Sequence, residues 1–382
     1  MRFSVDAHAI GRHLTGNEVY IRNLLNGFSA LDKEADFIVY YSVEGAHQWI
    51  PERFDTRRVS ANPFVRLGVE MSMRLKQDKP DMVHVQYTAP VGCPAPVVVS
   101  VHDVSFLEHP EFFTPPRVFQ LRRTVAHTVR HAAWILTPSE FSRKCIERAY
   151  GGPRPNIAVI PNGVSSVFRP LPREASCAWV QARFRVPGPY VLTVGDLQPR
   201  KNHIGLIHAF RDLVLNCPEL PHKLVMVGKE TWYGDRVRRA AETSGVGDRI
   251  FFTGFVSDDE LIHLYGACDL FVFPSHYEGF GLPILEAMAC GRAVACSNTS
   301  AMPEVANAAG ILFDPHSIPE MARAMHDLLV DAQLRARTER LGLNRAAQFT
   351  WEKAAKKTLD VYYRVVGARR PAVRARAKSI SV

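Results

Sequence analysis

Short runs of β-branched and apolar residues recur through the second half of the chain, at 190–194, 223–227, 249–253, 270–274, 293–297 and 310–313. Stretches of helical length with an apolar face lie between them, at 202–216, 235–244, 258–267, 284–290 and 319–331. A further short helix starts at Pro303-Glu-Val305. Strands that alternate with helices predict βα units and a parallel sheet. The first half keeps the same rhythm less regularly. Strands are expected at 3–6, 37–41, 57–61, 82–86, 97–101, 134–137 and 157–160, and helices at 17–30, 67–76, 117–131 and 140–150. Ser139 suits the N-cap of the last. The stripe Val118, Leu121, Val125, Val129, Ala132 reads as core packing.

Arg169-Pro-Leu-Pro-Arg173 interrupts regular structure. The chain therefore reads as α/β, with two doubly wound domains at 1–168 and 174–350. A final amphipathic helix is expected at 351–366, followed by a basic tail at 367–382. Ligands of such sheets sit beyond the carboxyl ends of the strands. Two such domains face to face would place two substrates in one cleft.

The 382 residues can bury a substantial core, and their composition is that of an ordinary globular protein. No run of about 18 apolar residues is present, so no transmembrane helix is expected. Met-Arg-Phe-Ser-Val-Asp reads as a first strand and lacks the apolar region of a signal peptide. The seven cysteines contain no Cys-x-x-Cys, and buried free thiols in a reducing cytoplasm fit them best. The net charge is +9. Arg369, Arg370, Arg374, Arg376 and Lys378 concentrate part of it where no acid answers them. A solvated tail is one reading, and contact with anionic lipid at the inner face of a membrane is the other. No nucleic-acid module accompanies the charge.

The richest stretch for chemistry is Tyr277-Glu-Gly-Phe-Gly-Leu-Pro-Ile-Leu-Glu-Ala-Met-Ala-Cys-Gly291. Two glutamates, Glu278 and Glu286, bracket a glycine turn that runs into a short apolar helix. Pro283 suits the first helical position and Gly291 the left-handed residue past the end. Gly279 and Gly281 would let backbone N–H groups approach a ligand, and the helix N-terminus attracts anions. Glu286 on a buried helix needs hydrogen bonds, which sugar or ribose hydroxyls would supply. A second signal is Val191-Leu-Thr-Val-Gly-Asp-Leu-Gln-Pro-Arg-Lys-Asn202. Here a strand ends in Gly195, and a loop presents Arg200 and Lys201. Cations presented there would stabilise negative charge that develops on a leaving group.

These strings resemble the donor site of retaining glycosyltransferases with the GT-B fold, group 1, family 4. The resemblance runs from Asp6 to Trp351. It implies that Arg200 and Lys201 hold the diphosphate, Glu278 the sugar hydroxyls and Glu286 the ribose. Gly195, Gly279, Phe280, Gly281 and Leu282 would line the donor, and Phe255 and Val256 would read the base through backbone. His102 of Ser100-Val-His-Asp-Val-Ser105 would contact the donor sugar or the developing oxocarbenium, with Asp103 near the acceptor. Thr15-Gly-Asn-Glu-Val-Tyr20 resembles the family's loop after the first strand, which places Gly16 and Tyr20 on the acceptor side. Asn17-Glu18 replaces a second glycine there, and Glu18 suits a helix N-terminus. Asp196 follows Gly195 where many relatives have Arg or Thr, and no phosphate role is assigned to it. Pro161-Asn-Gly-Val164 is read as structural.

No Asp-x-Asp occurs, so protein cations rather than a divalent metal are expected at the diphosphate, and no cofactor beyond the nucleotide sugar. The segment from Ser100 to Pro110 is most similar to mannosyltransferases of surface-polysaccharide assembly. That implies transfer of a hexose, best mannose from GDP-mannose, to a glycan or lipid-linked glycan in the cytoplasm. UDP-glucose as donor and a non-catalytic sugar-nucleotide-binding role are the alternatives.

Overall fold

The computed structural model describes residues 1–12 and 15–367. The basic tail from residue 368 onward lies outside the described residues, as do its five named cations.

Seven parallel strands form the first sheet: β1 (Arg2–Asp6), β2 (Asp36–Tyr41), β3 (Asp55–Arg58), β4 (Met82–Gln86), β5 (Val97–Ser100), β6 (Trp134–Thr137) and β7 (Ile157–Val159). Their spatial order is β3-β2-β1-β4-β5-β6-β7. Six more parallel strands form the second: β8 (Tyr190–Val194), β9 (Lys223–Val227), β10 (Ile250–Gly254), β11 (Leu270–Phe273), β12 (Ala293–Ser297) and β13 (Ile311–Phe313). These run β10-β9-β8-β11-β12-β13. Each order reverses once, between β1 and β4 and between β8 and β11. Those reversals are the switch points at which doubly wound sheets bind ligands.

Helices cover both faces of each sheet, which explains the nearly continuous apolar runs in strands such as Val97–Ser100 and Leu270–Phe273. The last helix, Trp351–Gly367, repeats apolar residues every three or four positions: Trp351, Ala354, Ala355, Leu359, Tyr362, Val366. That face joins the core of the first domain beside Leu24 and Phe28. Gly27 makes the approach feasible, because a Cβ there would collide with that of Ala355. Gly163 similarly admits the backbone of Trp351, and Val164 bridges Thr350. The chain thus crosses between domains at two adjacent points.

Several boundaries differ from the expectation. Helix Arg173–Phe184 begins inside the segment read as a linker, with Pro172 at its N-cap, and Ala332–Ala346 forms a second unforeseen helix. The helix expected at 67–76 is composite: a turn at Pro63–Val65, a π-helical turn at Arg66–Glu70 and an α-helix at Met71–Asp78. The seven cysteines are free, and Cys145, Cys268, Cys290 and Cys296 are buried. Among the described residues no helix is long and apolar enough to cross a membrane.

Candidate functional site

β8 and β11 bring the two sequence signals together at the second switch point. After β8 the chain turns at Gly195 and reaches a 3₁₀ turn, Pro199–Lys201. Asn202 ends it with φ 54°, and its amide donates to the Pro315 carbonyl at 2.8 Å. Asn tolerates that left-handed geometry better than most residues. Gly195 leaves room for the lysine stem: a Cβ there would press on Lys201 Cδ at 3.0 Å and Cε at 3.1 Å.

After β11 the chain passes through Glu278. Arg200 Nη1 donates to Glu278 Oε2 at 2.7 Å, and Lys201 Nζ to Oε1 at 2.6 Å. Arg200 also donates to the Tyr277 carbonyl at 2.9 Å, and Lys201 Nζ stands 4.8 Å from the centre of the Phe273 ring. Glu278 is buried. Burial alone would raise its carboxyl, but Arg200 and Lys201 outweigh it and bring the pKa down to about 2. Lys201 is shifted down by burial, against the pull of Glu278.

Gly281 is the N-cap of helix Leu282–Ala289, with φ 109°. Leu282 is therefore the first helical residue and Pro283 the second, one position later than expected. Gly291 has φ 71°, just past the end. Glu286 is buried in the helix and accepts from the Tyr265 hydroxyl at 3.0 Å. Burial lifts its pKa to about 7, while that hydrogen bond pulls the other way.

The first domain meets this loop at Gly279. A Cβ on Gly279 would collide with the His102 carbonyl oxygen, so neighbouring protein demands the glycine. The Gly279 carbonyl accepts from Ser139 Oγ at 2.7 Å and Ser142 Oγ at 3.2 Å. Glu304 accepts from the Glu140 and Phe141 N–H groups at 2.9 and 3.2 Å. A carboxylate of one domain thus caps a helix of the other.

His102 is half-buried, with Nε2 3.1 Å from Gln86 Oε1. Burial lowers its pKa to about 4, so the ring is neutral at pH 7 despite Asp103. Asp103 accepts from the Ser105 N–H and hydroxyl at 2.9 and 2.6 Å. Its charge also reaches Arg200 across the domain boundary.

The remaining expected residues lie at varied depths. Tyr20 is buried beneath His102, ring centroids 4.6 Å apart, with its hydroxyl 2.7 Å from Ser100 Oγ. Its ring and hydroxyl both support the floor under His102. Phe280 packs edge-on against Phe349 in the core, and Val256 is buried in the same cluster, so each offers only backbone. Phe255 is half-exposed at the end of β10. Asp258, close by, is raised by burial and senses Arg22 and Glu18 of the first helix. Gly16 lies exposed in that helix's first turn, where an added methyl would meet nothing within 4 Å, while Glu18 accepts from the Gly11 N–H at 2.9 Å. Leu282 is half-buried and touches the cores of both domains. Asp196 turns to Lys229, whose N–H it accepts at 3.2 Å and whose Nζ is 3.7 Å away.

Sequence reading missed Tyr87. It follows β4 with φ 62°, an uncommon conformation for a bulky residue, and packs on His102 with centroids 5.6 Å apart. Only the fold brings it beside Asp103 and Arg200. Tyr265 was also missed, because its hydroxyl reaches Glu286 from another helix.

A profile for "Glycosyltransferase Family 4" matches residues 14–167, and one for "Glycosyl transferases group 1" matches 180–345. The chain is similar to the O-antigen chain mannosyltransferase B of Escherichia coli, 34% identical over 267 residues, which cover 69% of each protein. It is 37% identical over 186 residues to the serotype-specific mannosyltransferase WbdA of Escherichia coli, which covers 48% of this chain and 23% of that relative. Among solved structures, Anabaena HepE in complex with UDP-glucose superposes with a TM-score of 0.77 at 19% identity, over 95% of this chain and 100% of that one.

Proposed function

The chain belongs to the group 1 glycosyltransferases of family 4, and from that premise we propose that it transfers mannose from GDP-mannose, with retention, to a glycan or lipid-linked glycan. The observation that carries the chemistry is the buried Arg200–Glu278–Lys201 cluster at the second switch point. The mannosyl assignment is supported by the relative that is 34% identical over 69% of the chain.

Arg200 and Lys201 would meet the diphosphate and stabilise the charge that grows as it leaves. Glu278 holds both cations in position and would turn one oxygen to the sugar hydroxyls. Glu286 would bind the ribose, and the neutral His102 would face the sugar from the other domain. Asp103, close to Arg200, would lie toward the acceptor. The leaving phosphate itself can take the acceptor proton.

A donor panel tests this. GDP-mannose, GDP, UDP-glucose and UDP are compared by thermal shift, since a bound nucleotide stabilises by mass action. Stabilisation and turnover with GDP-mannose are expected. UDP-glucose is the second reading, favoured by the likeness to Anabaena HepE. Stabilisation by the uridine pair alone would replace mannose by glucose. Turnover should persist after dialysis against EDTA, because the cations come from the protein. Loss on dialysis with rescue by Mg²⁺ or Mn²⁺ would overturn that reading. We also place the chain at the cytoplasmic face of the membrane, its basic C-terminal stretch against anionic lipid. Sedimentation with phosphatidylglycerol vesicles, lost at high salt, is the expected result.

A further inference from the structure

The first sheet has its own switch point, between β1 and β4. β1 ends in Asp6, which is 1% exposed. Its carboxylate accepts from the His8 N–H at 3.1 Å and faces His8 Nδ1 at 3.0 Å. Arg66 lies beside it, 3% exposed, with Nε 4.0 Å from Asp6 Oδ2. That is beyond hydrogen-bond reach. Arg66 Nε and Nη1 are buried without a partner. On the neighbouring strand end, Gln86 Nε2 is also buried without one. A buried guanidinium with two unpartnered nitrogens, answered only by a carboxylate 4.0 Å away, is unfavourable, so its retention asks for a ligand.

The local charge says which kind. Burial shifts Arg66 down, Asp6 opposes, and Arg12 adds a second positive charge. Asp6 is already engaged by His8. The unmet demand is therefore for negative charge, and guanidinium N–H donors match phosphate oxygens. Arg66 opens the π-helical turn Arg66–Glu70, a geometry frequent at functional sites. Around it the chain exposes Phe64, 75% accessible, with Val65 and Val69. Apolar side chains in solvent beside a buried cation suit an amphiphile.

We propose that Arg66 binds the phosphate of a lipid-linked glycan acceptor, with Phe64, Val65 and Val69 against the hydrocarbon next to it. The acceptor role of that lipid rests on the transferase reading; the phosphate site does not.

The test is calorimetry on the full chain saturated with its nucleoside diphosphate, titrated with decyl phosphate, inorganic phosphate and decyl mannoside. Decyl phosphate is expected to bind at least tenfold more tightly than either of the others. Arg66→Met should weaken it tenfold or more while leaving nucleoside-diphosphate affinity unchanged, and Arg66→Lys should recover part of the loss. Equal binding of decyl phosphate and decyl mannoside would overturn the anion, and equal binding of inorganic phosphate would overturn the lipid. An Arg66→Met chain that unfolds, or that melts lower without ligand, would make Arg66 a structural residue and end the proposal. Absence of turnover with every donor, alongside Arg66-dependent binding of decyl phosphate, would sink the transferase assignment of donor and leave this site standing.

Discussion

The two switch points share a topology and differ in how their buried charges close. In the second domain Arg200 and Lys201 each reach Glu278 within 2.7 Å, and that cluster is complete within the protein. In the first, Asp6 is taken by His8, and Arg66 stands 4.0 Å off with unmatched donors. Breaking a close, hydrogen-bonded buried pair leaves an uncompensated charge, whereas Arg66, answered only by Asp6 at 4.0 Å, has less to lose. The closed cluster is preorganised around a carboxylate that also fixes the cations for chemistry. The open one is suited to a ligand that brings the missing charge.

The largest effects should come from opening the closed cluster. Arg200→Ala or Lys201→Ala would remove one of the cations proposed to meet the leaving group, and such losses typically cost about 10²–10³ in rate. Each variant still leaves Glu278 one partner, so the fold should survive, with a lowered Tm. Steady-state kinetics with the active donor check this, and wild-type kcat in either variant would remove that residue from the mechanism. Arg66→Met should leave the unliganded Tm at or above that of the parent, the opposite sign.

The two glutamates sharpen the comparison through pH. Glu278 is held down at about 2, against an ordinary value of 4.5. Its unfolded form takes up a proton first as pH falls, so its contribution is present above 4.5 and fades toward 2. Glu286 is held up at about 7. Its folded form keeps a proton that the unfolded form loses, so stability is full below 4.5 and falls as pH rises to 7. A displacement of this size corresponds to roughly 3 kcal/mol. Glu286→Gln should therefore melt higher than the parent at pH 8 and equal to it at pH 4. Glu278→Gln should melt lower at pH 8. Melting curves at both pH values decide it, and matching pH profiles for the two variants would contradict these environments.

Much of this was legible because it is local. The alternation of β-rich runs with amphipathic stretches announces parallel sheets, and the residues of each donor loop are contiguous in the chain. Helix Ala332–Ala346 escaped because its buried face is Thr338, Gly342 and Ala346, small residues with no apolar period. Gly342 is set by Met288, whose Cγ would stand 3.1 Å from a Cβ there. Helix Arg173–Phe184 was hidden by prolines that start it rather than stop it. The direction in which Tyr20 points, the backbone of Tyr87 and the isolation of Arg66 depend on partners remote in sequence. No spacing rule reports those.

The glutamates should also separate in kinetics by about tenfold. Glu278 adjoins the cations and the sugar side, so Glu278→Gln should chiefly lower kcat. Glu286 accepts from Tyr265, and the ribose contact proposed for it would change little during transfer. Glu286→Gln should raise KM with less effect on kcat. Calorimetry with the bare nucleoside diphosphate gives the cleaner reading: weakened by Glu286→Gln and hardly by Glu278→Gln. The reverse result would exchange the two roles.

The smallest effects come from placing one methyl on the glycine near each switch point. At Gly195 a Cβ would press on Lys201 Cδ at 3.0 Å. A lysine stem can shift by a few tenths of an ångström, so Gly195→Ala should fold normally yet displace the ammonium from Glu278. A severalfold loss in kcat is expected, far short of that for Lys201→Ala, because the charge remains. At Gly16 nothing lies within 4 Å, and the residue sits in the first turn of a helix. Alanine there reduces the freedom of the unfolded chain and should stabilise by about 0.4–1 kcal/mol. Catalysis should change only insofar as substrate approaches that backbone. Gly16→Ala with higher Tm and unchanged kcat would remove Gly16 from the acceptor side. Higher Tm with raised acceptor KM would keep it there, on the acceptor side of the first domain.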